Sequence, residues 1–191
     1  MNFINLPAAF GIAGASGLNA TLPLLTMSVL ARMHVIRLES PFDALQSDIA
    51  FYGLIAVGVL EFLADKIPVV DSIAHLVMFP VSALSGAILF ASQSGTVHGL
   101  HPGVLVILSL LAGAATAGTV HATRTAARPI ANLALMGPVL SLVEDVGAVL
   151  LVLAALLAPI LIPILAVGLF LGMTYWLKTL RRRKPAVSPS S

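Results

Sequence analysis

The chain has 191 residues, 59% of them hydrophobic and 9% charged, with no cysteine and a formal net charge of +2. Soluble domains carry roughly 25% charged residues, so this composition excludes an ordinary water-soluble monomer and equally a charge-rich disordered chain. The lack of cysteine removes disulfides, thiolate metal sites and thiol nucleophiles together.

The charges fall in three clusters: Arg32 to Asp71, Arg124 to Asp145, and Lys178 to Lys184. Residues 1–31, 72–123 and 146–177 carry none. A bilayer crossing needs about 20 apolar residues, and this spacing predicts an all-α, polytopic transmembrane helical bundle of about six spans. The first runs from Leu6 to Ala31 and the second from Ile49 to Ile67, stopped by Pro68. The third covers Ser72 to Ser92, with Pro80 as a kink. Pro102 opens the fourth, which ends near Thr123. From Pro138 to Leu177 the chain is apolar for about twice the length of one crossing. It must fold back, and Ala158-Pro159-Ile-Leu-Ile-Pro163 is the place for the turn. Residues 1–180 are therefore read as one membrane domain. Residues 181–191 are read as a basic stop-transfer cluster, Arg181-Arg-Arg-Lys184, with a disordered cytoplasmic tail.

The start lacks the basic region of a signal peptide, so the first span is expected to be retained. Counting Lys and Arg in short loops places eight basic residues, from Lys66, Arg124, Arg128 and the tail, on one side. With six spans this predicts an inner-membrane protein with both termini cytoplasmic.

Two features mark a site. The first span is rich in small residues, with Gly11/Ala15 and Ala13/Gly17 at small-xxx-small spacing, and the fourth repeats this at Gly113, Ala114, Ala117 and Gly118. Such stripes let helices pack closely. Gly17-Leu-Asn19-Ala-Thr21-Leu-Pro23 then interrupts the first span, with Thr21 as the expected cap and Pro23 in a new first turn. Broken helices near mid-membrane line transporter substrate sites. A second interruption, Asn132 to Pro138, precedes the fifth span. If spans one to three and four to six are repeats, the odd number per half makes them inverted. Gly14-Ala-Ser16-Gly17 matches the nucleophile motif of rhomboid-type proteases, but its place in the first of six spans does not fit that layout.

The second feature is acidic. Ionisable groups within spans are costly and mark function by default. Glu61 and Asp65 share one helical face and lead the candidates for an ion path, joined by Asn19, Glu144 and Asp145. Lys66, Asp71, His75, His121 and Arg124 are expected at similar depth as polar partners. Oxygen ligands favour hard cations, and histidine titrates near neutral pH. In the competing reading the acids pair with Arg124 or Arg128 to fix helix register, and Ser141-x-x-Glu144 is a capping box. No nucleophile–base pair or metal-ligand motif stands out, so neither enzymatic activity nor a cofactor is expected.

Three blocks, Gly17-Leu-Asn-Ala-Thr-Leu-Pro-Leu-Leu25, Glu61-Phe-Leu-Ala-Asp-Lys-Ile-Pro-Val-Val-Asp71 and Gly137-Pro-Val-Leu-Ser-Leu-Val-Glu-Asp145, resemble a bacterial integral-membrane family known as domain of unknown function 4126. That resemblance implies a multi-pass membrane protein and supplies no activity. Glu61-x-x-x-Asp65-Lys66 is also loosely similar to the Glu-x-Gly-Asp-Lys signature of a divalent-cation/proton exchanger family. The expectation is a small transporter or channel, cation- or proton-linked, in contact with membrane lipids. A homo-oligomer suits its size, and no nucleic-acid partner is expected. The alternative is a non-transporting membrane component.

Overall fold

The computed structural model describes residues 5–64, 68–93, 101–133 and 137–182. Among these residues the fold is entirely helical. It comprises α1 (Asn5–Leu18), α2 (Leu22–Arg32), a short 3-10 turn (Phe42–Gln46), α3 (Asp48–Ala64), α4 (Pro68–Gln93), α5 (Pro102–Leu133), α6 (Gly137–Leu157) and α7 (Leu161–Arg182).

Sequence punctuation explains most of these boundaries. Proline fits the first helical turn, where its missing N–H costs nothing: Pro68 and Pro102 each begin a helix, and Pro138 lies one residue inside α6. Ala158-Pro159-Ile160 forms the turn between α6 and α7, at the expected fold-back. The apolar stretch of the helix opened by Pro102 ends at Thr123, where the fourth span is expected to end, and the helix itself continues to Leu133. One expectation needs correction. Ser141-x-x-Glu144 is no capping box, since α6 starts at Gly137 and places both residues inside the helix.

α1 is the central element. Ala9, Ile12, Ala13, Ala15 and Ser16 are all but fully buried, enclosed by α4, α5 and α6. Small residues make this enclosure physically possible. A Cβ at Gly17 would lie 2.5 Å from the Ala117 carbonyl and from Val120 Cβ, so α1 and α5 meet almost backbone to backbone. Gly86 and Gly113 do the same between α4 and α5, where a Cβ on either would overlap the partner helix. The α1 and α5 stripes read from sequence are therefore packing surfaces, with Gly86 of α4 as a third member.

Neighbouring contacts also fix the register. Against α6, Gly11 faces Ala155 and Leu18 lies near Gly147. Against α4, the Phe10 ring meets the Phe90 ring edge-on at 4.9 Å, and the Ala13 carbonyl lies beside Gly86. α1 is thus antiparallel to both. On α2, Leu24, Met27 and Ala31 share one buried cluster with Ile12, Ala15, Leu89, Val152 and Ala155. Those partners all lie on the α1 side of the break: Val152 and Ala155 are past Gly147, and Leu89 is past Gly86. α2 accordingly turns back beside α1 instead of running on, and the two form a helical hairpin. The break expected between Gly17 and Pro23 is present; what differs is that the Leu6–Ala31 segment folds back on itself at the break, where the sequence predicts that it runs on as one span.

α3 lines the outer side of α2. Arg32 donates to Asp48 Oδ1 at 2.7 Å and to the Gln46 carbonyl at 2.8 Å, and its guanidinium lies 4.6 Å from the Phe51 ring centre. Ser28 Oγ donates to the Leu45 carbonyl at 2.6 Å. These contacts hold the far end of α2, away from the hairpin tip.

The outer surface is apolar. Ile49, Leu111, Val143, Leu150, Leu157 and Phe170 are among many large hydrophobic side chains left exposed. Two helices, over Val106–Thr123 and Val139–Leu157, are long and apolar enough to cross a membrane. Only 28% of each stretch is buried inside the fold, unlike the core helix of a soluble protein.

Candidate functional site

The hairpin tip is Asn19-Ala20-Thr21. α1 ends as Asn19 N–H donates to the Ala15 carbonyl at 3.2 Å, and α2 begins as Leu25 N–H donates to the Thr21 carbonyl at 2.9 Å. Thr21 occupies the cap position, yet its side chain caps nothing. The expected cap is supplied instead by Asn19, whose Oδ1 accepts from Thr21 N–H at 2.9 Å and from Leu22 N–H at 2.8 Å. Asparagine does this well because its short amide reaches its own backbone two and three residues on.

Two carboxylates from distant parts of the chain converge on this tip. Asn19 Nδ2 donates to Asp145 Oδ1 of α6 at 3.0 Å. Ala20 N–H donates to Glu61 Oε1 of α3 at 3.2 Å. Asn19, Glu61 and Asp145 are each more than 90% buried. Burying a charged group is costly unless hydrogen bonds and opposing charge compensate it, and here compensation comes from backbone and amide N–H groups at the start of α2. A helix N-terminus carries partial positive charge, so this is a favourable place for anionic oxygens.

A second buried polar pair lies nearby, between α4 and α5. Ser82 Oγ and His121 Nδ1 are 3.1 Å apart, and the Phe79 ring meets the imidazole edge-on at 5.7 Å. Both Ser82 and His121 are almost wholly buried. His121 directly follows Val120, which packs on Gly17 two residues before the tip. His121, Ser141, Glu61 and Asp145 each take part in further interactions.

The structure therefore brings together Asn19, Glu61 and Asp145. Glu144 is half-buried beside Asp145 on α6, where adjacent residues point about 100° apart. Asp65 and Lys66 lie outside the described residues, as do the side chains of Asp71, His75 and Arg124. Ser82 was not anticipated: a lone serine in an apolar run carries no signal until its partner helix is known. Among the described residues no group of three or more His, Asp or Glu is placed to hold a metal ion.

These observations define an all-α bundle built round a central helical hairpin whose tip is held by two buried acids. The chain belongs to the family designated domain of unknown function (DUF4126), whose model matches residues 6–179. No curated protein and no solved structure matches it.

Proposed function

We propose that this chain is a small multi-pass inner-membrane protein that carries a proton or small cation, using Glu61 and Asp145 at the hairpin tip. Apolar exposure supports the membrane setting: side chains such as Ile49, Leu111 and Leu157 face outward on several helices, far more than a water-facing monomer tolerates. The carrying observation is the convergence of two buried carboxylates on a helix break. Intramembrane acids at interrupted helices serve ion and proton pathways.

Asn19 takes a different part from the one its sequence position suggested. Both acceptor directions of its Oδ1 are used by Thr21 and Leu22 N–H, leaving its Nδ2 to orient Asp145. It positions the acid and binds no cation itself.

The hairpin also bears on orientation. α1 starts at the same end of the bundle as the C-terminal end of α4, from the Phe10–Phe90 contact, and α2 returns to that end. This supports placing the beginning of the chain on the same side as the Arg32–Asp48 loop. By the basic-residue count that side is the exterior, in place of the cytoplasmic N-terminus expected from six full crossings.

A structural reading has one observation in its favour. Each acid accepts a hydrogen bond from the tip, so both could serve only as braces. Proteoliposomes containing the purified chain distinguish the two. Imposed gradients of protons, sodium, potassium and magnesium should drive uptake of at least one ion, and Glu61→Gln should abolish it. Vesicles no leakier to any of these than protein-free controls would leave the bracing role alone.

A further inference from the structure

We propose that the crevice between α1, α5 and α7 holds one acyl chain of a membrane phospholipid, an inference that rests on the membrane setting but not on transport. The crevice has a volume of about 480 Å3 and is lined by residues including Leu6, Phe10 and Gly14 of α1, Thr116 and Val120 of α5, and Ile162 of α7. Its wall is hydrocarbon almost throughout. The single side-chain hydroxyl, Thr116 Oγ1, already donates to the Ala112 carbonyl at 2.7 Å. A polar ligand would lose its hydration there and find no partner, whereas a hydrocarbon chain loses nothing.

Shape narrows the choice further. From Leu6 to Gly14 the crevice follows α1 for about 12 Å at 1.5 Å per residue, an elongated slot suited to a flexible chain. It opens onto apolar surface, since Leu6, Phe10 and Leu165 of its own wall are exposed, so its mouth is continuous with the face assigned to lipid. α7 is anchored at its start by Ile162, which lies against Gly11, and the following residues are exposed. An acyl chain in the slot supplies packing between α1 and α7.

Gly14 provides a plug. A Cβ there would meet nothing nearer than 4.0 Å, the distance to both Thr116 and Val120, so Gly14→Leu fills the slot without displacing backbone. Ala166→Phe plugs it independently from α7. The full chain would be reconstituted in phosphatidylethanolamine/phosphatidylglycerol vesicles containing a phospholipid with a photoactivatable diazirine in its acyl chain. After irradiation, label should concentrate on peptides bearing Phe10, Val120 and Ile162, and either plug should reduce it severalfold while labelling of α3 is unchanged. Crevice peptides no more labelled than α3, or labelling unaffected by both plugs, would overturn the proposal, as would cross-links showing a second copy seated in the slot. A chain that fails to float with the vesicles overturns the membrane setting as well.

Discussion

Asn19 concentrates three tasks in one side chain: it ends α1, caps α2 and orients Asp145. Asn19→Ala therefore removes a cap, which is typically worth about 1 kcal/mol, and leaves a buried carboxylate short of a donor, which costs about 1–3 kcal/mol more. A clear drop in the thermal unfolding midpoint in detergent is expected. Glu61 separates charge from hydrogen bonding. Glu61→Gln keeps an oxygen to accept from Ala20 N–H, while Glu61→Ala leaves that N–H buried and unmet. The alanine variant should lose about 1–3 kcal/mol and the glutamine variant much less, as read from the same unfolding curves. Equal losses would show that the charge itself, and not the hydrogen bond, holds the tip.

Among the elements, the closest helix contacts run through glycine, and this gives a sharp contrast between positions. Gly17 has Ala117 backbone and Val120 where a side chain would go, whereas Gly53 has nothing within 4 Å. Gly17→Ala forces α1 and α5 apart and should destabilise by about 1–3 kcal/mol, the usual cost of overpacking. Gly53→Ala should be neutral or slightly stabilising, since alanine is the better helix former. Comparing the two midpoints checks whether α1 is the enclosed helix described here. The break itself was legible in the sequence, because glycine, asparagine and proline in close order oppose one continuous helix. The turning back of α2 was not. Local sequence specifies that a helix stops but not the direction of the next one, which depends on where Leu24, Met27 and Ala31 find their core. The pairing of Asn19 with Asp145 was equally hidden, since 126 positions separate them and adjacent Glu144 is the same kind of residue. Glu61 was legible as an acid inside an apolar run. That its partner at the site is Asp145 required the fold.

At the scale of the whole molecule, the hairpin bears on the membrane topology proposed above. One full crossing by residues 6–31 would put the chain's beginning and the Arg32–Asp48 loop on opposite sides; a hairpin puts them on the same side. The chain has no native cysteine, so single-cysteine labelling is clean. A cysteine replacing Ser40, which is exposed, and an epitope placed before Met1 should both be reached by impermeant reagents from the exterior of intact cells. Reaction of Ser40→Cys with a protected epitope would restore the single crossing and remove the hairpin.

The central claim is that Glu61 and Asp145 carry an ion, beyond bracing the tip. It is tested most directly by measuring ion flux and unfolding midpoint on the same preparations of wild type, Glu61→Gln and Asp145→Asn. Both substitutions retain an acceptor for the tip and remove the charge. The expected result is wild-type flux that is lost in both variants while their midpoints stay close to that of wild type. Flux that persists in both, or that falls only in step with the midpoint, would contradict it.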